Sequence, residues 1–168
     1  MFATDTTPDF LSVTGLLKAT PAEEGGERII YLEASDESVD ASGERVLASA
    51  LASSAAEYEK FGNLDIDHVT IVGARMGIKD YLLYEIGRPI AVRVDGRRTY
   101  VKAQLYRGDG EVARHANIVW DSMTKISPPA RWYPSVGGAV LEKGIELDPK
   151  TGARIAIVKR VRWTNIAL

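Results

Sequence analysis

Two side chains of this sequence, Ser135 and His68, have the chemistry of a nucleophile and its base. Ser135 lies in the stretch RWYPSVGG, after a proline and before Gly137 and Gly138. A serine hydroxyl becomes nucleophilic when a base takes its proton, and histidine is the usual base near neutral pH. Glycines leave backbone N–H groups uncovered, as an oxyanion hole requires. Ser135 is therefore a candidate nucleophile, although serine beside proline and glycine is also typical of an ordinary turn.

The choice of base is narrow, because the sequence contains only two histidines. His68 is in phase with Leu64 and Ile66 in NLDIDHVTIVG, so an alternating strand would turn its ring toward the apolar side. That position fits a core histidine bonded to a backbone carbonyl as well as it fits a general base. His115 lies in a helical pattern, and we expect it on a partly exposed helical face.

The sequence gives little support for a metal site or a phosphate-binding loop. There are no cysteines, and two distant histidines cannot form a zinc site unless carboxylates supply most of the ligands. Asp65 and Asp67 flank His68, but on a strand they would face away from it. The glycine pairs at 25–26 and 137–138 lack the Lys-Ser/Thr of a phosphate loop. We expect no metal and no cofactor.

The composition is that of an ordinary globular chain. Its 168 residues suit one domain, residues 1–168, with 45% hydrophobic and 26% charged residues. A net charge of −2 gives no reason to expect nucleic acid or an anionic membrane as partner. No apolar run is long enough to span a bilayer, and the start is not typical of a secretory signal. The absence of cysteine fits a cytosolic setting.

Strand patterns dominate the elements that must position Ser135 and His68. We expect residues 1–10 to be flexible and residues 20–27 to form an acidic loop. Asp109 is expected to cap the second of two helices. The predicted strands are 11–19, 28–35, 63–73, 88–94, 98–106, 130–147 and 153–168, and the predicted helices are 45–61 and 111–125. Their predicted buried stripes are Leu47, Leu51, Ala55, Tyr58 and Phe61 in the first helix, and Val112, Ala116, Val119 and Met123 in the second.

The last two strands, joined by the turn DPKTG, allow the residues opposite Ser135 to be estimated. If Asp148 pairs with Ala153, Ser135 lies about opposite Ile166. Thr164 and Arg162 would then share the face of Ser135. Because isolated helices accompany many strands, the predicted fold is α+β and mainly β: an antiparallel, barrel-like curved sheet with two principal helices packed outside. The chain stops at Leu168 within an apolar strand pattern, so we expect the natural chain to continue further or to be processed.

The order of these parts resembles the prohead (capsid-maturation) proteases of tailed phages, relatives of the herpesvirus assemblin serine proteases. The matching stretches span residues 28 to 168. They are EASDESVDASGERV (33–46), DIDH (65–68), PSVGG (134–138) and RWTNIAL (162–168).

The resemblance implies that Ser135 is the nucleophile and His68 the general base of a self-processing serine endopeptidase. In assemblins the third member is a second histidine, and in many phage relatives it is an acidic residue on the last strand. In RWTNIAL the closest match is Thr164, which the register estimate places on the face of Ser135. We expect backbone N–H groups near Gly137 and Gly138 to hold the oxyanion. Arg160 or Arg162 are expected to assist them.

The resemblance also implies substrates and surroundings. The substrates would be scaffold and capsid-protein segments, cleaved in the host cytoplasm inside the assembling prohead by a homodimer or higher homo-oligomer. Nucleic acid and membranes are not expected partners. Two alternatives stay open on the residues alone. One is a non-enzymatic, β-rich phage structural or scaffolding module, and the other is a small-ligand-binding barrel.

Overall fold

The computed structural model describes residues 19–40 and 43–168. The flexible segment expected at 1–10 lies outside the described residues, as does the strand expected at 11–19, apart from Ala19. The strands are β1 (Ala19–Glu24), β2 (Glu27–Ser35), β3 (Glu44–Val46), β4 (Asn63–Asp65), β5 (Glu85–Asp95), β6 (Arg98–Leu105), β7 (Ser135–Leu147) and β8 (Arg154–Ala167). The helices are α1 (Ala48–Phe61), α2 (Val69–Val72) and α3 (Arg114–Thr124), with short 3-10 turns at Tyr81–Tyr84 and Glu111–Ala113.

Several predicted strands are present. The predicted strand 28–35 lies within β2, the hairpin around Asp95-Gly96 is β5 and β6, and the final hairpin is β7 and β8. The turn of that last hairpin is closed as expected by the N–H of Asp148, which donates to the carbonyl of Ala153 at 2.8 Å. The acidic loop predicted at 20–27 was wrong, because Ala19–Glu24 is a strand paired antiparallel with β2. Only Gly25 and Gly26, both with positive φ, form the turn.

Within the described ranges, eight strands form one mixed sheet, which runs β1-β2-β6-β5-β4-β8, with β3 and β7 also paired to β8. The prediction of a mainly β chain with helices is confirmed. The antiparallel barrel was wrong, because β3 and β4 both run parallel to β8 and the sheet does not close. The sequence pattern predicted the strands but not the helical crossover between β3 and β4, which makes these two strands parallel to the same neighbour.

Helix α1 covers a gap in the sheet. β3 pairs with residues 156–158 of β8 and β4 with residues 165–167, so no strand of the described residues pairs with 159–164 on that edge. These six residues extend about 20 Å, which a helix of 14 residues, about 21 Å long, can span. In this stretch the backbone N–H of Trp163 donates to the Oγ of Ser54 on α1, at 2.9 Å. Ser54 of α1 therefore provides the hydrogen-bond acceptor that a neighbouring strand would otherwise supply to the Trp163 N–H.

The core lies between the sheet and the two longer helices. The rings of Tyr58 and Trp163 stack at a centroid distance of 4.1 Å and anchor α1 on β8. Of the stripe predicted on the first helix, Leu51 and Tyr58 are buried, Leu47 and Ala55 are half-buried, and Phe61 in the last turn is 73% exposed. No helix in the described part of the chain is long and apolar enough to cross a membrane.

Helix α3 begins later than predicted. The backbone first makes a 3-10 turn at Glu111–Ala113, and the residue before α3 is Ala113, without a side-chain cap. The expected cap by Asp109 was therefore wrong. Val112, which we expected in the buried stripe, lies in the 3-10 turn and is 70% exposed. The rest of the predicted stripe is buried, namely Ala116, Val119 and Met123.

Candidate active site

His68 does not lie in the middle of a strand, as its alternating surroundings predicted. β4 ends at Asp65, and α2 begins at Val69. Between them Asp67 and His68 both adopt the left-handed conformation, with φ of 53° and 57°. Consecutive non-glycine residues rarely take this conformation, and such backbones concentrate at functional sites. The turn moves the His68 ring out of the alternation that would have directed it into the core.

Hydrogen bonds on both sides hold this turn in place. The N–H of Asp67 donates to the carbonyl of Leu168 at 3.2 Å, and the N–H of Leu168 donates to the carbonyl of Asp65 at 2.9 Å. The buried Asp65 carboxylate accepts hydrogen bonds from the backbone N–H and the hydroxyl of Thr70, at 2.8 and 2.6 Å. His68 is therefore fixed between the end of β8 and the first turn of α2.

Ser135 is the first residue of β7 and is exposed. Its Oγ lies 3.0 Å from the Nε2 atom of His68, which is within hydrogen-bonding distance. Two different strand pairings on β8 bring these residues together. β4, which leads into His68, runs parallel to the end of β8, and β7 pairs antiparallel along its other edge. The geometry is that of an alcohol and a base poised for proton transfer.

The other ring nitrogen of His68 contacts Asn165, a residue that no sequence pattern indicated. Its Oδ1 lies 2.5 Å from Nδ1 of His68, and Asn165 is completely buried. Thr164, which we predicted at this place, is exposed instead. The placement of Thr164 in the site was therefore wrong.

A β-bulge explains the difference. Counting from the turn, the register predicted Ile166 opposite Ser135, but the structure pairs Ser135 with Ala167. The register slips by one residue between Gly137 and Gly138, where Thr164 is the extra residue of β8. A slip of one residue exchanges the two faces of a strand. Asn165 consequently takes the position at the site that the uninterrupted ladder gave to Thr164.

The two glycines after Ser135 have different structural roles. A Cβ atom built on Gly137 would lie 2.6 Å from Nδ1 of His68 and 2.8 Å from Oδ1 of Asn165. Gly138 has a φ of +153°, and a Cβ atom there would lie 2.0 Å from the carbonyl oxygen of Arg162. Gly137 thus makes room for the His68–Asn165 pair, while Gly138 permits the bulge.

The two candidate arginines are not equivalent. Arg160 pairs with Glu142, its guanidinium 3.8 Å from that carboxylate, and Glu142 is seven residues beyond Ser135 on β7. At roughly 3.3 Å per residue this is about 23 Å, farther than an arginine side chain extends. The expectation that Arg160 assists at Ser135 was therefore wrong. Arg162 lies opposite Ala139 and lines the same small cavity as Gly137 and Gly138.

That cavity has a volume of about 170 Å³ and lies beside the start of β7. Trp163 is among its lining residues, and Asp40, Glu44 and Arg162 bring charge to the lining. The valines that line it are Val46, Val136, Val140, Val158 and Val161. The cavity is large enough for one side chain of a bound peptide.

A series of hydrogen bonds continues behind Asn165. Nδ2 of Asn165 donates to Oδ1 of Asn63 at 2.8 Å, and Nδ2 of Asn63 donates to Oε2 of Glu85 at 3.1 Å. The hydroxyl of Tyr106 donates to the other carboxylate oxygen of Glu85. Burial and this hydrogen bond to Glu85 raise the pKa of Tyr106 to about 12.

The remaining candidates lie apart from this cluster. His115 stacks on Tyr84, with ring centroids 4.3 Å apart. The side chain of Asp65 bonds to Thr70, while Asp67 is exposed. In residues 19–40 and 43–168 no group of three or more His, Cys, Asp or Glu side chains is placed to hold a metal ion.

The chain was compared with family models, curated proteins and solved structures. No family model matches the chain, and no curated protein matches its sequence. Among solved structures it is similar to "Structure of the bacteriophage T4 capsid assembly protease, gp21", with 17% sequence identity and a TM-score of 0.45. The alignment covers 91% of this chain and 89% of the phage T4 chain.

Proposed function

We propose that this chain is a serine endopeptidase that cleaves phage scaffold and capsid-protein segments, and itself, during prohead maturation. One observation carries the proposal: Ser135 Oγ lies 3.0 Å from Nε2 of His68, whose Nδ1 lies 2.5 Å from Oδ1 of Asn165. A nucleophile, a base and a group that orients the base form the arrangement of serine hydrolases. The choice of scaffold and capsid substrates follows from the resemblance of DIDH and PSVGG to prohead proteases.

The first half of the reaction forms an acyl-enzyme. Nε2 of His68 accepts the hydroxyl proton of Ser135 while Oγ attacks the carbonyl carbon of the scissile peptide bond. The tetrahedral intermediate collapses as His68 gives that proton to the departing amine. Asn165 holds the imidazole in place but carries no charge, so it stabilises the imidazolium less than a carboxylate would.

In the second half, His68 takes a proton from water, which attacks the acyl carbonyl. The bond to Oγ then breaks, the proton returns to Ser135 and the carboxylic acid product leaves. In both halves the negative oxygen needs hydrogen-bond donors. Among the described strands β7 pairs only with β8. Alternate N–H groups of β7 therefore point away from β8, at the free edge of the strand. We assign the oxyanion to such N–H groups near Gly137 and Gly138, with Arg162 close by.

The exposed edge of β7 also suits a peptide substrate. An extended peptide can add to a free strand edge through backbone hydrogen bonds, with alternate side chains reaching pockets. The 170 Å³ cavity beside Gly137 and Gly138 would receive one of these side chains.

The test is whether Ser135 reacts as an activated nucleophile. A fluorophosphonate probe should add one label per chain at Ser135, identified by peptide mass spectrometry. The variants Ser135→Ala and His68→Ala should abolish labelling and cleavage of a scaffold–capsid substrate. Ser38→Ala is a matched control, because Ser38 Oγ bonds to the Asp36 carboxylate at 2.5 Å without an imidazole. If the wild-type protein is not labelled, or if either active-site variant still cleaves, the proposal is wrong.

The second candidate is a non-enzymatic phage structural or scaffolding module. The exposed apolar residues of β7, which include Leu141, Ile145 and Leu147, favour it because such a strand edge can pair with another chain. An unlabelled Ser135 combined with binding to scaffold or capsid protein would support this function instead.

The proposal includes a homodimer or higher homo-oligomer acting inside the assembling prohead, as the resemblance to assemblins implies. Sedimentation and specific activity should be measured together over a concentration series. Activity should rise as the protein associates. A monomer with constant specific activity would contradict this part.

A further inference from the structure

We infer that Glu85 fixes the orientation and tautomer of the His68 ring from a distance, through the side-chain amides of Asn63 and Asn165. This inference rests on the proposed function, in which His68 is the base for Ser135. Glu85, Asn63 and Asn165 are positioning residues, since none of them contacts Ser135.

The direction of the hydrogen bonds is set at Glu85. An ionised carboxylate only accepts hydrogen bonds. Glu85 already accepts one from the hydroxyl of Tyr106, and its Oε2 lies 3.1 Å from Asn63. Asn63 must therefore present its NH₂ group, so its Oδ1 points toward Asn165.

A second carboxylate imposes the same direction. The buried Asp65 accepts the hydroxyl proton of Thr70 at 2.6 Å, so Thr70 Oγ1 can only accept from Asn63. Nδ2 of Asn63 lies 3.3 Å from that oxygen. If the Asn63 amide were reversed, its oxygen would face acceptors on both sides, an arrangement that costs about 1–3 kcal/mol for each unsatisfied group.

The orientation of Asn63 then determines the orientation of Asn165 and, through it, the protonation of the His68 imidazole. Asn165 donates to Oδ1 of Asn63 at 2.8 Å, which leaves its own Oδ1 facing His68 at 2.5 Å. An oxygen at this distance requires a proton on Nδ1 of His68. The neutral ring then has no proton on Nε2, and the free lone pair lies 3.0 Å from Ser135 Oγ. The Glu85 carboxylate thereby selects the tautomer that can accept the serine proton.

The same series of dipoles favours the reaction. When His68 becomes positively charged, the carbonyl ends of the Asn165 and Asn63 amides both point toward it, and the Glu85 charge lies beyond them. Each amide is thus oriented to stabilise the imidazolium. Glu85 supplies at a distance part of what a carboxylate next to the histidine supplies directly.

The experiment replaces Glu85 by its uncharged isostere. Glu85→Gln should reduce the rate of fluorophosphonate labelling on the order of tenfold, the usual effect of removing a group that orients a functional histidine. Nitrogen-15 NMR of the neutral imidazole should show part of the protonation moved from Nδ1 to Nε2 of His68, while the longer contact of Asn63 with Thr70 keeps the rest at Nδ1. His115 serves as an internal reference, because it is the only other histidine.

Glu24→Gln is the matched control. Glu24 also accepts a hydrogen bond from a tyrosine, Tyr31, but it lies on β1 and bonds to Lys102 rather than to the asparagines. This variant should keep the wild-type labelling rate and the wild-type His68 spectrum.

A double variant tests the role of the carboxylate if Glu85→Gln is poorly folded. Combining Asn63→Asp with Glu85→Gln moves the carboxylate one residue nearer, where it accepts hydrogen bonds from Nδ2 of Asn165 and from the amide of the new glutamine. This double variant should restore the Nδ1-protonated tautomer and recover most of the labelling rate. A purely structural role for Glu85 predicts no such rescue.

The outcomes separate this inference from the proposed function. If wild-type Ser135 is labelled but Glu85→Gln changes neither the His68 tautomer nor the rate, the inference is wrong and the protease proposal stands. If the tautomer responds to Glu85→Gln but Ser135 is never labelled, the protease proposal fails and the orienting role of Glu85 stands.

Discussion

Gly137 lies so close to His68 that a Cβ atom built on it would be 2.6 Å from Nδ1. Real Cβ atoms do not approach so closely, so a side chain here must displace the ring or Asn165. We expect Gly137→Ala to slow fluorophosphonate labelling of Ser135 about 100-fold, because small misplacements of catalytic groups are that costly. The labelling rate at several probe concentrations measures the effect.

Gly144→Ala is the matched control for this substitution. Gly144 lies on the same strand, and a Cβ atom there would be 2.7 Å from Cε of Lys159. Lys159 is exposed, so the end of its flexible side chain can move aside. Labelling should be unchanged in Gly144→Ala. Equal labelling in the two alanine variants would show that Gly137 does not limit the site.

Asn165 and Thr164 are adjacent in sequence, but only Asn165 contacts His68. Asn165→Ala should slow labelling by about 10–100-fold and lower the free energy of unfolding by about 1–3 kcal/mol, since it removes partners from buried polar groups. Thr164→Ala should change the rate by less than about twofold. Kinetics and urea denaturation of both variants test this. A larger effect at Thr164 would contradict the observed register.

Helix α1 provides a test of the core. Leu51 is completely buried and Phe61 is 73% exposed, although both were predicted on one buried stripe. Leu51→Ala should lower the free energy of unfolding by about 2–5 kcal/mol, through lost burial and the cavity left behind. Phe61→Ala should change it by less than about 0.5 kcal/mol. Urea denaturation followed by circular dichroism gives both values. Equal losses would mean that α1 packs differently.

The turn between β7 and β8 should make stability depend on pH. The backbone N–H groups of Lys150 and Thr151 donate to Asp148 and hold its pKa below the ordinary value of 3.8. A lowered pKa stabilises the fold above the pKa of the unfolded state, and this stabilisation is lost as the pH falls through the folded pKa. Asp148→Asn should therefore melt at a lower temperature than wild type near neutral pH. The difference should shrink below about pH 4, whereas a constant difference would contradict this explanation.

Local signals in the sequence predicted the parts of the fold that depend on them. Asp95-Gly96 and DPKTG predicted two hairpins, and the spacing of Leu51 and Tyr58 predicted α1. The parallel pairing of β3 and β4 with β8 has no such signal, because it depends on residues more than a hundred positions apart. The sheet was therefore expected to be wholly antiparallel and closed, whereas it is mixed and open.

The candidate site likewise contains features that depend on distant residues and that local sequence patterns did not predict. NLDIDHVTIVG alternates as a strand does, but Asp67 and His68 turn left-handed, because contacts with Leu168 and Thr70 from outside the turn stabilise it. The three register slips between β7 and β8 leave a net shift of one residue. Counting paired residues outward from the turn cannot account for such bulges, because the count assumes an uninterrupted ladder. The pairing of Ser135 with His68 was implied by the resemblance of DIDH and PSVGG to prohead proteases, whereas nothing in the sequence indicated Asn165 over Thr164.

Every part of the candidate site is held by β8, which follows both β4 and β7 along the chain. During synthesis, His68 and Ser135 leave the ribosome well before the strand that joins them. Until β8 is docked, the histidine has no Asn165 beside it and neither residue is fixed against the other. Under the proposed function, a nascent or partly folded chain is therefore inert, and the order of translation postpones reactivity until folding is finished.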